Sequence, residues 1–187
     1  MTISKLTISA LAALALAAPA MAEETTPTTT ETPTAQEQCR TERTAMGKDV
    51  FAATYGTNKN KANAFGKCVS KRDAATEEAA AEAKTNASKD CKAEAAADQA
   101  AFDAKYKNHG KCVSEKAKAK TAETVDEQVE ADISAAKSCK AERKLDPAAF
   151  KAKYGTNKNK ANAFGKCVST QAKAQQDKPA EETAPTA

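Results

Sequence analysis

Tryptophan is absent, and the aromatic side chains are three tyrosines and five phenylalanines in 187 residues. Rings this scarce are needed for the core, which leaves none to stack the bases of a single-stranded nucleic acid. Histidine occurs once, at His109. A multi-histidine metal site is therefore excluded, and a Ser-His-Asp arrangement has only one place to form. Neither Cys-x-x-Cys nor His-Glu-x-x-His occurs, so no metal centre and no cofactor are expected. Strand-forming residues are also few, which argues against a sheet. Beyond residue 22 no run is apolar enough to cross a bilayer. Charge of one sign is lacking too: 29 basic residues face 25 acidic ones, for a net charge of +4. A nucleic-acid partner is not expected from so mild an excess.

What is present begins with "MTISKLTISALAALALAAPAMA": an early lysine, a short apolar run, then small residues at Ala18, Ala20 and Ala22. This pattern is that of a secretory signal peptide over residues 1–22, cleaved after Ala22 or, second choice, Ala20. Residues 23–38 and the end of the chain are rich in Thr, Pro, Glu and Ala and hold no large apolar side chain. They are read as a disordered linker and a disordered tail, the latter within residues 171–187 after a helix end.

Between them lie six cysteines, spaced as a repeat. Tyr55–Ser70, "YGTNKNKANAFGKCVS", returns letter for letter as Tyr154–Ser169. Extended outward, the repeat becomes three units, 39–70, 91–114 and 139–170. Each opens with Cys and a base and closes with Gly-Lys-Cys-Val-Ser. Each places Phe one helical turn before Tyr: Phe51/Tyr55, Phe102/Tyr106 and Phe150/Tyr154. The middle unit is shortened, because Tyr106 is followed at once by "KNHGKC".

Ala, Lys, Glu and Gln dominate, so the fold class is all-α. Asp98 and Asp146 are expected helix caps, the second followed by Pro147 at the first helical position. Gly56 and Gly155 are expected to end a helix in the left-handed conformation, with Thr156 or Asn157 capping the next. Gly110 is expected at a tight turn and His109 in a loop. Segments 71–90 and 115–138 lack Gly and Pro and are read as long helical linkers, with Asn86 or Ser88 as a soft break in the first. Val125, Val129 and Ile133 form an apolar stripe along the second.

An exported chain with an even number of cysteines implies a disulfide framework. A single helix from Cys68 to Cys91 would span roughly 35 Å, whereas a disulfide needs Cα atoms within about 7 Å. The same holds for Cys112 and Cys139. Pairing within units is the economical solution: Cys39–Cys68, Cys91–Cys112 and Cys139–Cys167. Each bridge then closes a helical hairpin whose apolar interior is too small to hold alone.

The "F-x-x-x-YGTN…NAFGKCVS" units resemble repeats of uncharacterised exported bacterial proteins, over Cys39 to about Ser169. The middle unit departs by its deletion and by His109 in place of Phe65 and Phe164. The resemblance implies no activity.

No catalytic residues are identified. Ser70, Ser114 and Ser169 have no accompanying base, and Glu77/Glu78 and Glu181/Glu182 are read as solvated pairs. The candidate site is basic. Lys59, Lys61 and Lys67 in the first unit, and Lys158, Lys160 and Lys166 in the third, stand among asparagines near a helix start, where an anion is favoured. The expectation is a secreted or envelope-held, non-enzymatic repeat protein, a spacer or a binding module for anionic wall or extracellular polymers. The alternatives are a cell-wall-active enzyme and a helical module for a specific protein partner, of unknown identity.

Overall fold

The computed structural model describes residues 32–177. The expected signal peptide, its cleavage positions, most of the Thr/Pro-rich linker and the tail from residue 178 lie outside the described residues.

Seven helices and no strand form among the described residues: α1 (Ala35–Met46), α2 (Lys48–Tyr55), α3 (Ala64–Ala97), α4 (Gln99–Tyr106), α5 (His109–Leu145), α6 (Pro147–Tyr154) and α7 (Ala163–Gln176). The linker expected to be disordered to residue 38 gives way earlier. Thr34 and Glu37 close a reciprocal cap, so α1 begins four residues before Cys39.

Helices α3 and α5, of 34 and 37 residues, run antiparallel and are roughly 50 and 55 Å long at about 1.5 Å per residue. Neither Asn86 nor Ser88 breaks α3, which carries the first linker and both adjoining unit ends as one helix. The pair packs through small side chains. Ala79, Ala83, Ala87 and Cys91 are buried at every fourth position of α3, facing Thr121, Ala122 and Val125 of α5. Helix α1 runs antiparallel to α3, and α7 antiparallel to α5, covering only their shared proximal halves. The distal halves project as a two-helix arm closed by α4.

Disulfides Cys39–Cys68, Cys91–Cys112 and Cys139–Cys167 join the units internally, with Cα separations of 6.0, 6.1 and 6.0 Å. Loops of this length gain about 3–4 kcal/mol each from restricting the unfolded chain. The cores divide unevenly. Cys91, Phe102, Tyr106 and Cys112 form a small cluster at the arm's tip. Units one and three, distant in sequence, share one core containing Phe51, Tyr55, Phe150, Phe164 and Val168.

Three local expectations are corrected. Gly56 and Gly155 are not left-handed but extended, with φ of −71° and −76°. Their glycine serves close packing, since a Cβ on either would lie 2.6 Å from the carbonyl oxygen four residues back. Apart from Gly47, the described residues with positive φ are lysines, Lys61, Lys107 and Lys160. Neither Thr156 nor Asn157 caps a helix: α7 starts at Ala163, and Asn162 Oδ1 accepts the N–H groups of both, at 3.1 and 3.4 Å. His109 and Gly110 lie in the first turn of α5, because Asn108 caps it by accepting from Lys111 N at 2.8 Å. Asp98 and Asp146 do cap α4 and α6.

The duplicated segment is used in two ways. A Cβ on Gly165 of α7 would lie 2.7 Å from the Thr54 carbonyl at the end of α2. Its twin Gly66 meets no described atom within 4 Å. Gly165→Ala is therefore expected to cost about 1–3 kcal/mol through overpacking, and Gly66→Ala to be neutral or to gain about 0.5–1 kcal/mol from helix propensity. Thermal melts of the two variants check this.

Candidate anion-binding groove

Each long turn is organised by its own polar letters. In the first, Asn63 Oδ1 accepts from Thr57 N and Asn58 N, and its amide donates to Thr57 Oγ1 at 2.7 Å. The Asn60 side chain accepts from Ala62 N. Lys61, left-handed, turns its ammonium back to donate to the Gly56 carbonyl at 2.7 Å. The third unit repeats every contact, with Lys160 Nζ 2.8 Å from the Gly155 oxygen.

Because α2 packs on α7, the two turns come to lie side by side. They border one open groove of about 740 Å³ whose lining includes Asn58, Lys59, Lys61, Asn157, Asn159 and Lys166, and no acidic residue. The six candidate lysines thus separate. Lys61 and Lys160 hold the turns together. Lys59 and Lys166 line the groove. Lys67 and Lys158 are exposed and do not line it. Asn58 and Asn157 reach the groove without a side-chain partner among the described residues. The lining can thus offer cations to an acidic group and amides to neighbouring hydroxyls. It holds no acid-base pair and no activated nucleophile.

A second constellation was not anticipated. Glu42, Arg72 and Asp132 are 0%, 1% and 2% exposed. Arg72 from α3 ion-pairs with Glu42 of α1 and Asp132 of α5. The Tyr55 hydroxyl donates to Glu42 and lies 3.1 Å from Asp132 Oδ2. Half-exposed Lys71 completes the charge balance at 2.8 Å from Asp132. Burial pushes the Glu42 carboxyl above its usual range, with Arg72 opposing and Asp132 adding to the rise. Desolvation works against the Arg72 cation, but Glu42, Tyr55 and Asp132 outweigh it and hold it above its ordinary value. Tyr55 is likewise pushed up by burial and by both carboxylates.

Reading charges as solvated by default hid this cluster, yet a signal was present. Glutamate recurs three residues after each unit's first cysteine (Glu42, Glu94, Glu142), and Arg72, Lys116 and Gln171 recur four after the second. All three units build the same polar contact. Lys116 and Lys105 reach Glu94 at 2.7 and 3.1 Å. Lys153 and Tyr154 reach Glu142 at 2.8 and 2.9 Å, with Gln171 at 3.4 Å. These more exposed carboxyls are held below the usual range, Glu94 by Lys116 and Lys105 and Glu142 by Lys153 and Tyr154.

His109 lies 3.4 Å from the Ser88 carbonyl through Nε2. No cluster of three or more metal-ligating side chains forms among the described residues, and none of their helices is long and apolar enough to cross a membrane. Comparison with protein-family models, with curated proteins and with solved structures finds no match.

Two outcomes are expected. Arg72→Ala leaves Glu42 buried without a counter-charge and Asp132 with Lys71 alone, and costs about 3–5 kcal/mol, read by denaturant unfolding. The Glu42 pKa is raised on folding, so its contribution is full below the unfolded value near 4.5 and is lost as pH rises through the folded value. Wild type should therefore exceed Glu42→Gln in stability most at acidic pH, and the gap should shrink or reverse toward neutrality. A gap that widens as pH rises would contradict this.

Proposed function

We propose that this protein is a non-enzymatic, secreted or envelope-held module that binds anionic wall or extracellular polymers in the groove between its duplicated turns. The observation that carries the reading is the groove itself. Two identical Lys/Asn turns, far apart in sequence, border one opening with no acidic residue in its lining. A linear polyanion suits it better than a small ligand, because the groove is open and its free cations, Lys59 and Lys166, come from different units. Three disulfides belong to an oxidising compartment, which favours export by the leader read in residues 1–22. The long α3/α5 arm gives the protein its spacer character by holding the second unit away from the groove.

The test is titration of the disulfide-intact chain with a soluble anionic wall polymer, such as teichoic acid, across a salt series. Affinity is expected to fall steeply with salt. The double variant Lys59→Ala/Lys166→Ala should lose about 1 kcal/mol per lysine, roughly fivefold each. Lys158→Ala, outside the groove, should change it little. Salt-independent binding, an unchanged double variant, or turnover of the polymer would each refute the proposal.

A further inference from the structure

One stretch of sequence occurs twice in this chain, and its two copies are covered unequally. In α7, Phe164 and Val168 are 4% and 1% exposed, and Gly165 lies against the end of α2. In α3, the identical Phe65 and Val69 are only partly buried, and Gly66 is open. The covering element is also duplicated. Val50, Ala52, Ala53 and Thr54 of α2 are buried or half-buried, whereas Ala149, Lys151, Ala152 and Lys153, at the same places in α6, are exposed. The chain therefore contains one completed contact between units and both halves of a second.

We propose that the α3 face formed by Phe65, Gly66, Val69 and Ser70 receives the α6 end of a second copy of this chain, as α7 receives α2 internally. The receiving face has the same letters as the occupied one, so its shape and its gap at glycine already fit a helix end of the α2 kind. The donor differs by Ala149 in place of Val50 and by two lysines, Lys151 and Lys153, in place of Ala52 and Thr54. Their stems can lie along apolar surface; Lys153 stays paired with Glu142, but Lys151 brings its charge toward Lys67 beside Gly66 and is repelled. The association is therefore weak at low salt and tightens as salt screens the lysines, opposite to polymer binding. Donor and receiver are separate faces, so the contact is head to tail and leaves one of each unused for further addition.

Sedimentation of the disulfide-intact chain from about 10 µM to about 1 mM, at low and high salt, tests this. Concentration-dependent self-association that strengthens with salt is expected. Gly66→Arg adds a side chain where the monomer has open space, so it should leave the melting temperature unchanged or slightly raised while weakening association at least about tenfold. Lys151→Ala/Lys153→Thr gives α6 the α2 letters from Phe150 to Tyr154 and should tighten association roughly tenfold or more. A chain monomeric throughout, or association indifferent to both variants, overturns the proposal. Polymer binding is measured separately, so either idea can fail alone.

Discussion

Buried between α1, α3 and α5, the Arg72 guanidinium bridges two carboxylates, and this contact fixes how the long helices are aligned. The α3 side of the α3/α5 seam is built of alanines at every fourth position, and such a stripe defines its own register poorly. A slip of one helical turn would lay alanine against much the same small side chains and lose little apolar burial. It would, however, separate Arg72 from Asp132 and leave charges buried without partners, at a cost of several kcal/mol. At the far end of the same seam, Cys91–Cys112 forbids the slip covalently. The arm is held in register by a polar contact at its root and a sulfur bridge at its tip. The alanines between are then free to supply close approach alone. Both contacts run through Nη2, and arginine suits the root because its delocalised guanidinium is less strongly hydrated than a lysine ammonium and always charged.

Much of the architecture was legible in the sequence because it rests on local chemistry. Asp98 and Asp146 cap helices through their own side chains. The helical character of both linkers follows from composition. Bringing the two cysteines of each unit together requires only that a helical hairpin close. Legibility ended where long-range packing chooses among equivalent local options. The duplicated glycines illustrate this: Gly66 and Gly165 have identical neighbours from Tyr to Ser, yet only Gly165 meets another helix. The left-handed turn residues were misassigned for a related reason. Gly56 and Gly155 were expected to take the unusual backbone, but a carbonyl and a lysine stem crowd them, so the glycines supply space and the following lysines supply the turn.

The candidate groove shows the same division. Its residue types were readable, since asparagine and lysine near a helix start suit an anion. What brings Lys59 and Lys166 to one opening is the docking of α2 on α7, a contact between parts of the chain more than a hundred residues apart that no local pattern encodes. The Glu42–Arg72–Asp132 cluster was harder still. The glutamate and the base recur with the repeat, but Asp132 belongs to no repeat position and reaches the cluster only because units one and three share a core.

The three units have diverged in ways that follow from their places in the fold. The second lacks the Lys/Asn turn and passes directly from Tyr106 into "KNHGKC". It has a core of its own but no part in the Lys/Asn groove, and it closes the arm. The third keeps the whole turn but exchanges Arg72 for Gln171, which is consistent with its surroundings. Glu142 stays partly exposed and finds its cation in Lys153, so a further buried charge would lack a second carboxylate to balance it. The same lysine makes the outer face of α6 more polar than that of α2, where threonine stands in its place. One substitution thus supplies the cation that unit three lacks and places a charge on the exposed face of α6.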